Sequence, residues 1–191
     1  ERPAWPWATG LVALVAVTLH FTPRAAQIAE FDRTQILSGE VWRLWTAHFV
    51  HFSGSHLFWN LALVLPAGIW VERLAPVRTR WLYLLAPAAT GVTLLALDAQ
   101  LQIYAGLSGV AAGVIALLAF TQLARVARRE RGWWWAVLAL IAGKLIFEVV
   151  TRRPALADLG AAEVQPVPLA HIAGSACAAV AQACARCVLP T

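Results

Sequence analysis

Two residues in this sequence could act as a nucleophile and its base, Ser108 and His171. Ser108 stands in Ala105-Gly106-Leu107-Ser108-Gly109, at the head of an apolar run with no Asp, Glu, Lys or Arg until Arg125. A serine hydroxyl becomes a useful nucleophile when a neighbouring imidazole takes its proton. The start of a helix beside it supplies unpaired N–H groups and a positive dipole end, which suit a developing oxyanion. His171 heads the last apolar run, in Ala170-His171-Ile172-Ala173-Gly174. No Asp or Glu is near either residue in sequence, so a Ser–His dyad is expected rather than a triad. The plainer reading makes Gly-x-Ser-Gly a packing motif and His171 an imidazole bonded to a backbone carbonyl. Ionisable groups at membrane depth are usually functional, which weighs the other way.

A second pair, His56 and Asn60, is spaced i, i+4 and so shares one helix face. Both side chains can donate hydrogen bonds. With the Ser108 amide they could surround a tetrahedral oxyanion. The plainer reading is a helix-start cap and an interhelical polar clamp. His48-x2-His51-x4-His56 has the look of a zinc set, but the segment lacks a carboxylate and the HExxH pattern. No metal site is therefore expected. Lys144 and Glu148, also i, i+4, interrupt an apolar run. They read as a neutralising pair, or less simply as a contact for a head group or substrate.

The elements that must position these residues are membrane helices. Of the 191 residues, 60% are hydrophobic and only 13% are charged, against about 25% charged in soluble domains. The net charge of +5 comes largely from Arg in short loops between apolar runs, the positive-inside pattern, so no nucleic-acid partner is expected. Three cysteines, Cys177, Cys184 and Cys187, lie in the last apolar run and suggest no disulfide framework. The first apolar run lacks a signal-peptide cleavage site, so no leader is expected there.

A spanning helix needs roughly 17–25 apolar residues. On that measure residues 1–191 read as a single all-α membrane domain with six transmembrane helices, at about 7–21, 56–71, 81–97, 108–124, 133–150 and 169–188. Between the first two lies a mixed stretch, Thr22 to Ser55, which reads as an interfacial insertion. Arg73, Arg78 and Arg80 form one basic loop, and Arg125, Arg128, Arg129 and Arg131 another. Placing both inside puts both termini inside. His56, Ser108 and His171 then all begin helices that enter from outside, at one depth. Gly109 and Gly113 face small partners in Gly174 and Ala178, which would let the two helices approach closely.

Taken together, these motifs resemble the rhomboid family of intramembrane serine proteases, over about Gly39 to Ala178. Trp42-Arg43 looks like the family's Trp-Arg motif, and His56-x3-Asn60 like its oxyanion motif. Glu72, four residues after Gly68, looks like its structural glutamate. Gly106-Leu107-Ser108-Gly109 and Ala170 to Gly174 look like the nucleophile and base motifs. The resemblance implies a six-helix bundle with a water-filled pocket open to the outside, and peptide hydrolysis in or beside a membrane helix, with no metal and no cofactor. Ser108 would be the nucleophile, His171 the general base and acid, and His56 and Asn60 the oxyanion donors. One departure is Ala112: many rhomboids carry there, one turn after the serine, an aromatic that supports the histidine. The compact length and the wording of Gly39 to Leu44 and of His51 to Asn60 look most like rhombosortases. That implies a membrane-protein substrate with a transmembrane helix or a C-terminal sorting tail containing Gly-Gly. Transfer of the acyl group to a lipid head-group amine is an alternative to hydrolysis. The implied location is a bacterial inner membrane, multi-pass, with the active site facing the periplasm. The alternative is a catalytically inactive relative that binds membrane helices.

Overall fold

The computed structural model describes residues 5–151 and 167–188. Six long helices dominate: α1 (Trp7–His20), α5 (Gly54–Leu74), α6 (Pro76–Leu97), α7 (Ser108–Arg125), α8 (Arg131–Thr151) and α9 (Pro168–Val188). Between α1 and α5 lie three short helices, α2 (Pro23–Ala29), α3 (Arg33–Leu37) and α4 (Arg43–Thr46). By length and composition α5, α6, α7 and α8 can each cross a membrane. The pair α1 and α2 together meets the same test, but is bent by 112°. The described part of α9 carries a shorter apolar stretch, Pro168–Cys184. The chain is thus an all-α multi-pass membrane protein with four or five membrane-capable helices among the described residues.

Several boundaries differ from the sequence expectation. Helix α5 begins two residues before His56 because Ser53 caps it, its hydroxyl accepting from the His56 amide at 3.1 Å. Helix α6 begins at Pro76, a favoured first position for proline. Arg78 and Arg80 therefore lie on α6 and not in a loop. The stretch between the fifth and sixth expected helices falls mostly at 152–166, outside the described residues.

Helix α7 is the central element, with most of its apolar side chains buried between α5, α6, α8 and α9. A buried carboxylate ties down the far end of α5. Glu72 is fully buried and accepts from the Ala8 amide (3.2 Å), the Thr9 amide (2.9 Å), the Thr9 hydroxyl (2.9 Å) and Arg80 Nε (3.2 Å). A buried charge is tolerable only with such a set of donors. The Thr9 hydroxyl lies 3.1 Å from Tyr83 Oη, which brings α6 into the same clamp.

The insertion is fastened at several points. Arg43 is buried, pairs with Glu40 at 2.6 Å, and donates to the carbonyls of Gln27 (2.8 Å) and Glu30 (2.9 Å). Arg33 donates to the carbonyls of Leu95 (2.8 Å) and Asp98 (3.1 Å) at the end of α6, where a cation offsets the helix dipole. Two short strands not foreseen from the sequence, β1 (Phe31–Asp32) and β2 (Ile103–Tyr104), pair antiparallel, with Phe31 opposite Tyr104.

An apolar cavity of about 430 Å³ lies among α1, α4 and α6, walled by Trp7, Trp45, Phe49, Tyr83 and Leu84. Neither Ser108, His56, Asn60 nor His171 lines it.

Candidate active site

The chain turns into α7 through Ala105-Gly106-Leu107. Gly106 has φ +125°, a backbone conformation that residues with a Cβ rarely adopt. Its amide donates to the Ala47 carbonyl at 3.1 Å, and its carbonyl accepts from Tyr104 Oη at 3.0 Å. The turn is thus held on both sides. Ser108 follows as the first residue of α7, and no side chain caps that helix start. Its first amides remain available to an incoming anion.

His56 and Asn60 lie against this turn. A methyl group at Gly106 would sit 2.6 Å from His56 Nε2 and 3.9 Å from Asn60 Nδ2. Both side chains are buried. Asn60 Nδ2 donates one hydrogen to the His56 carbonyl at 3.0 Å; an amide NH₂ has a second. The His56 ring stacks on Phe52 (centroids 6.2 Å, planes 25° apart) and meets His51 edge-on at 5.0 Å.

Helix α9 closes the other side. A methyl group at Gly109 would lie 2.7 Å from the Ala170 carbonyl, and one at Gly113 2.6 Å from the Gly174 carbonyl. One at Gly174 would overlap the Gly109 carbonyl. Only glycine permits this approach. Ser108 and His171 are each one residue from the Gly109–Ala170 contact. His171 is buried there. The four site residues inferred from the sequence therefore gather at one end of the bundle, on the first two turns of α5 and the starts of α7 and α9.

Two groups beside the site are not evident from the sequence. Glu148 Oε2 lies 3.0 Å from His171 Nδ1, so a carboxylate does stand beside the histidine. The expectation of no acid near the pair is corrected: it rested on sequence distance, and the packing of α8 on α9 removes that distance. The clue available was Lys144 and Glu148 within an apolar helix; their side chains pair at 2.6 Å. The other group is Tyr104. Its phenol donates to the Gly106 carbonyl, and its oxygen stands near the Ser108 side chain. Burial pushes the Tyr104 phenol well above its usual range, which keeps it protonated.

The histidine-rich segment separates in space. His48 turns its ring to Tyr104, at 5.3 Å, while His51 faces His56. Among the described residues no three His, Cys, Asp or Glu side chains form a metal-ligand set.

A buried polar cluster at one end of a multi-pass helical bundle defines the class of protein, a membrane protein with its candidate chemistry inside the helix assembly. The sequence matches the rhomboid domain over residues 38–186, and the chain belongs to the rhomboid family, whose members are generally intramembrane serine proteases. Comparison with curated proteins gives no match.

Proposed function

We propose that this chain is an active intramembrane serine endopeptidase. Ser108 Oγ attacks the scissile carbonyl carbon and passes its proton to His171. The Ser108 amide, His56 and Asn60 hold the resulting oxyanion. The C–N bond then breaks, and His171 returns the proton to the leaving amine. Water releases the acyl group from Ser108. A lipid head-group amine is the alternative acceptor. The observation that carries this reading is the α7–α9 crossing at Gly109 and Ala170, which brings Ser108 and His171 to one place beside His56 and Asn60.

The substrate in this reading is a membrane protein with a transmembrane helix, whose peptide must be extended to reach a buried serine. The wording of residues 39–44 and 51–60 favours a rhombosortase-like role, processing C-terminal tails that contain Gly-Gly. The same likeness favours a bacterial inner membrane, and the Arg-rich segments favour cytoplasmic termini with the site facing the periplasm. Mass spectrometry of the new C-terminus of a tail-bearing substrate tests the reading, with wild type and Ser108→Ala compared. Cleavage by wild type alone is expected, and a mass increment at the new C-terminus would reveal amine transfer. Full cleavage by Ser108→Ala would overturn the reading. Wild-type protein that neither cleaves nor reacts with a fluorophosphonate would instead be an inactive helix-binding relative.

A further inference from the structure

His171 needs a partner on Nδ1. A neutral imidazole accepts a proton at Nε2 only when the ring hydrogen sits on Nδ1, so whatever bonds Nδ1 decides whether the ring can act as a base. The aromatic that often supports this histidine in rhomboids is replaced by Ala112, which cannot fill that role. Two side chains of α8 reach Nδ1 instead. Glu148 Oε2 is 3.0 Å away, and Lys144 Nζ is 3.4 Å away. They ask for opposite tautomers. The carboxylate accepts a hydrogen from Nδ1, whereas the ammonium would donate one to it and leave the hydrogen on Nε2. The shorter distance favours the carboxylate. Lys144 is also already committed, donating to Glu148 Oε1 at 2.6 Å.

We propose that Glu148 is a positioning residue for His171: its carboxylate accepts the Nδ1–H, fixes the tautomer that leaves Nε2 free for the Ser108 proton, and stabilises the imidazolium as that proton arrives. Lys144 balances the charge of Glu148 and holds its other oxygen. The site then works as Ser108–His171–Glu148, with the acid delivered from α8. This rests on the protease reading above. The acid is buried while the lysine is partly exposed, so the pair anchors the carboxylate on its inner side.

The test uses a fluorophosphonate probe on the full chain in detergent micelles, with labelling of Ser108 followed over time and resolved into KI and kinact. Glu148→Gln is expected to lower kinact by about 10²-fold or more with KI unchanged. Glu148→Asp, which keeps the charge, is expected to recover about tenfold of that loss. If Glu148→Gln fails to elute as folded protein, Glu148→Asp alone decides: a kinact roughly tenfold below wild type at unchanged KI supports the proposal, and a wild-type kinact overturns it. Folded Glu148→Gln that labels at the wild-type rate also overturns it, leaving the Lys144–Glu148 pair a purely structural one. Such a result leaves the protease reading standing. Wild-type protein that is never labelled at Ser108 overturns both.

Discussion

Gly106 packs on His56 so closely that a single added methyl group would lie 2.6 Å from Nε2 of the ring. The turn before the candidate nucleophile and the candidate oxyanion donor therefore share one fixed geometry. Gly106→Ala brings two penalties, since φ is +125° at that position and the methyl group also displaces the imidazole. Losing a well-placed oxyanion donor costs about 10²–10³-fold in rate, and a loss of that order in substrate cleavage is expected. Gly10→Ala is the control, because nothing lies within 4 Å of a methyl group there.

The crossing of α7 and α9 predicts a graded series. A methyl group at Gly174 overlaps the Gly109 carbonyl, so Gly174→Ala must push the helices apart and Gly174→Val further. Cleavage is expected to fall steeply from wild type to Ala to Val. Overpacking of a tight contact costs about 1–3 kcal/mol, visible as a drop in thermal midpoint in detergent. Equal activity across the series would contradict the close contact.

Glu72 is expected to matter for folding and not for chemistry. Glu72→Ala leaves Arg80 without its carboxylate and the amides of Ala8 and Thr9 without their acceptor. Arg80 is partly exposed and can turn to solvent, but each buried donor left without an acceptor costs about 1–3 kcal/mol. The thermal midpoint should fall accordingly, while the protein that remains folded labels at Ser108 at the wild-type rate.

Acid should destabilise the chain through His48 and His51. Burial pushes His48 down to about 4, and burial with the nearby His56 pushes His51 down to about 3, from an ordinary 6.5. Below about pH 6.5 the unfolded chain binds protons that folded His48 refuses until about pH 4. Stability thus falls as the pH drops through that window, and for His51 the fall continues to about pH 3. Thermal midpoints between pH 7 and pH 4 should decline, and His48→Leu should flatten the curve.

Much of the candidate site is legible in the sequence, because polar residues stand out in an apolar chain. His56 and Asn60 share a face by helical periodicity alone. The spacing of Gly109, Gly113 and Gly174 signals a close crossing. Glu148 is visible there only as half of a local pair, since its approach to His171 depends on how α8 packs against α9. The β1–β2 pairing leaves no trace, because two-residue strands are too short to show alternation. Arg78 and Arg80 suggest a loop by charge, yet Arg80 sits on α6, where Glu72 neutralises it. The 112° bend between α1 and α2 falls where Thr22 precedes Pro23, a restricted step whose direction only packing decides.

The pairing of Phe31 with Tyr104 makes the insertion a splint for Ser108, the candidate nucleophile. Tyr104 holds the Gly106 carbonyl, and Ser108 begins α7 two residues after that glycine. Any tilt of the segment anchored by Arg33 and Arg43 is therefore carried along one short ribbon to the Ser108 hydroxyl. Lesions in that segment, distant in sequence from Ser108, would register as loss of catalysis before loss of fold. Through that ribbon the segment between α1 and α5 becomes a lever on the aim of the Ser108 hydroxyl.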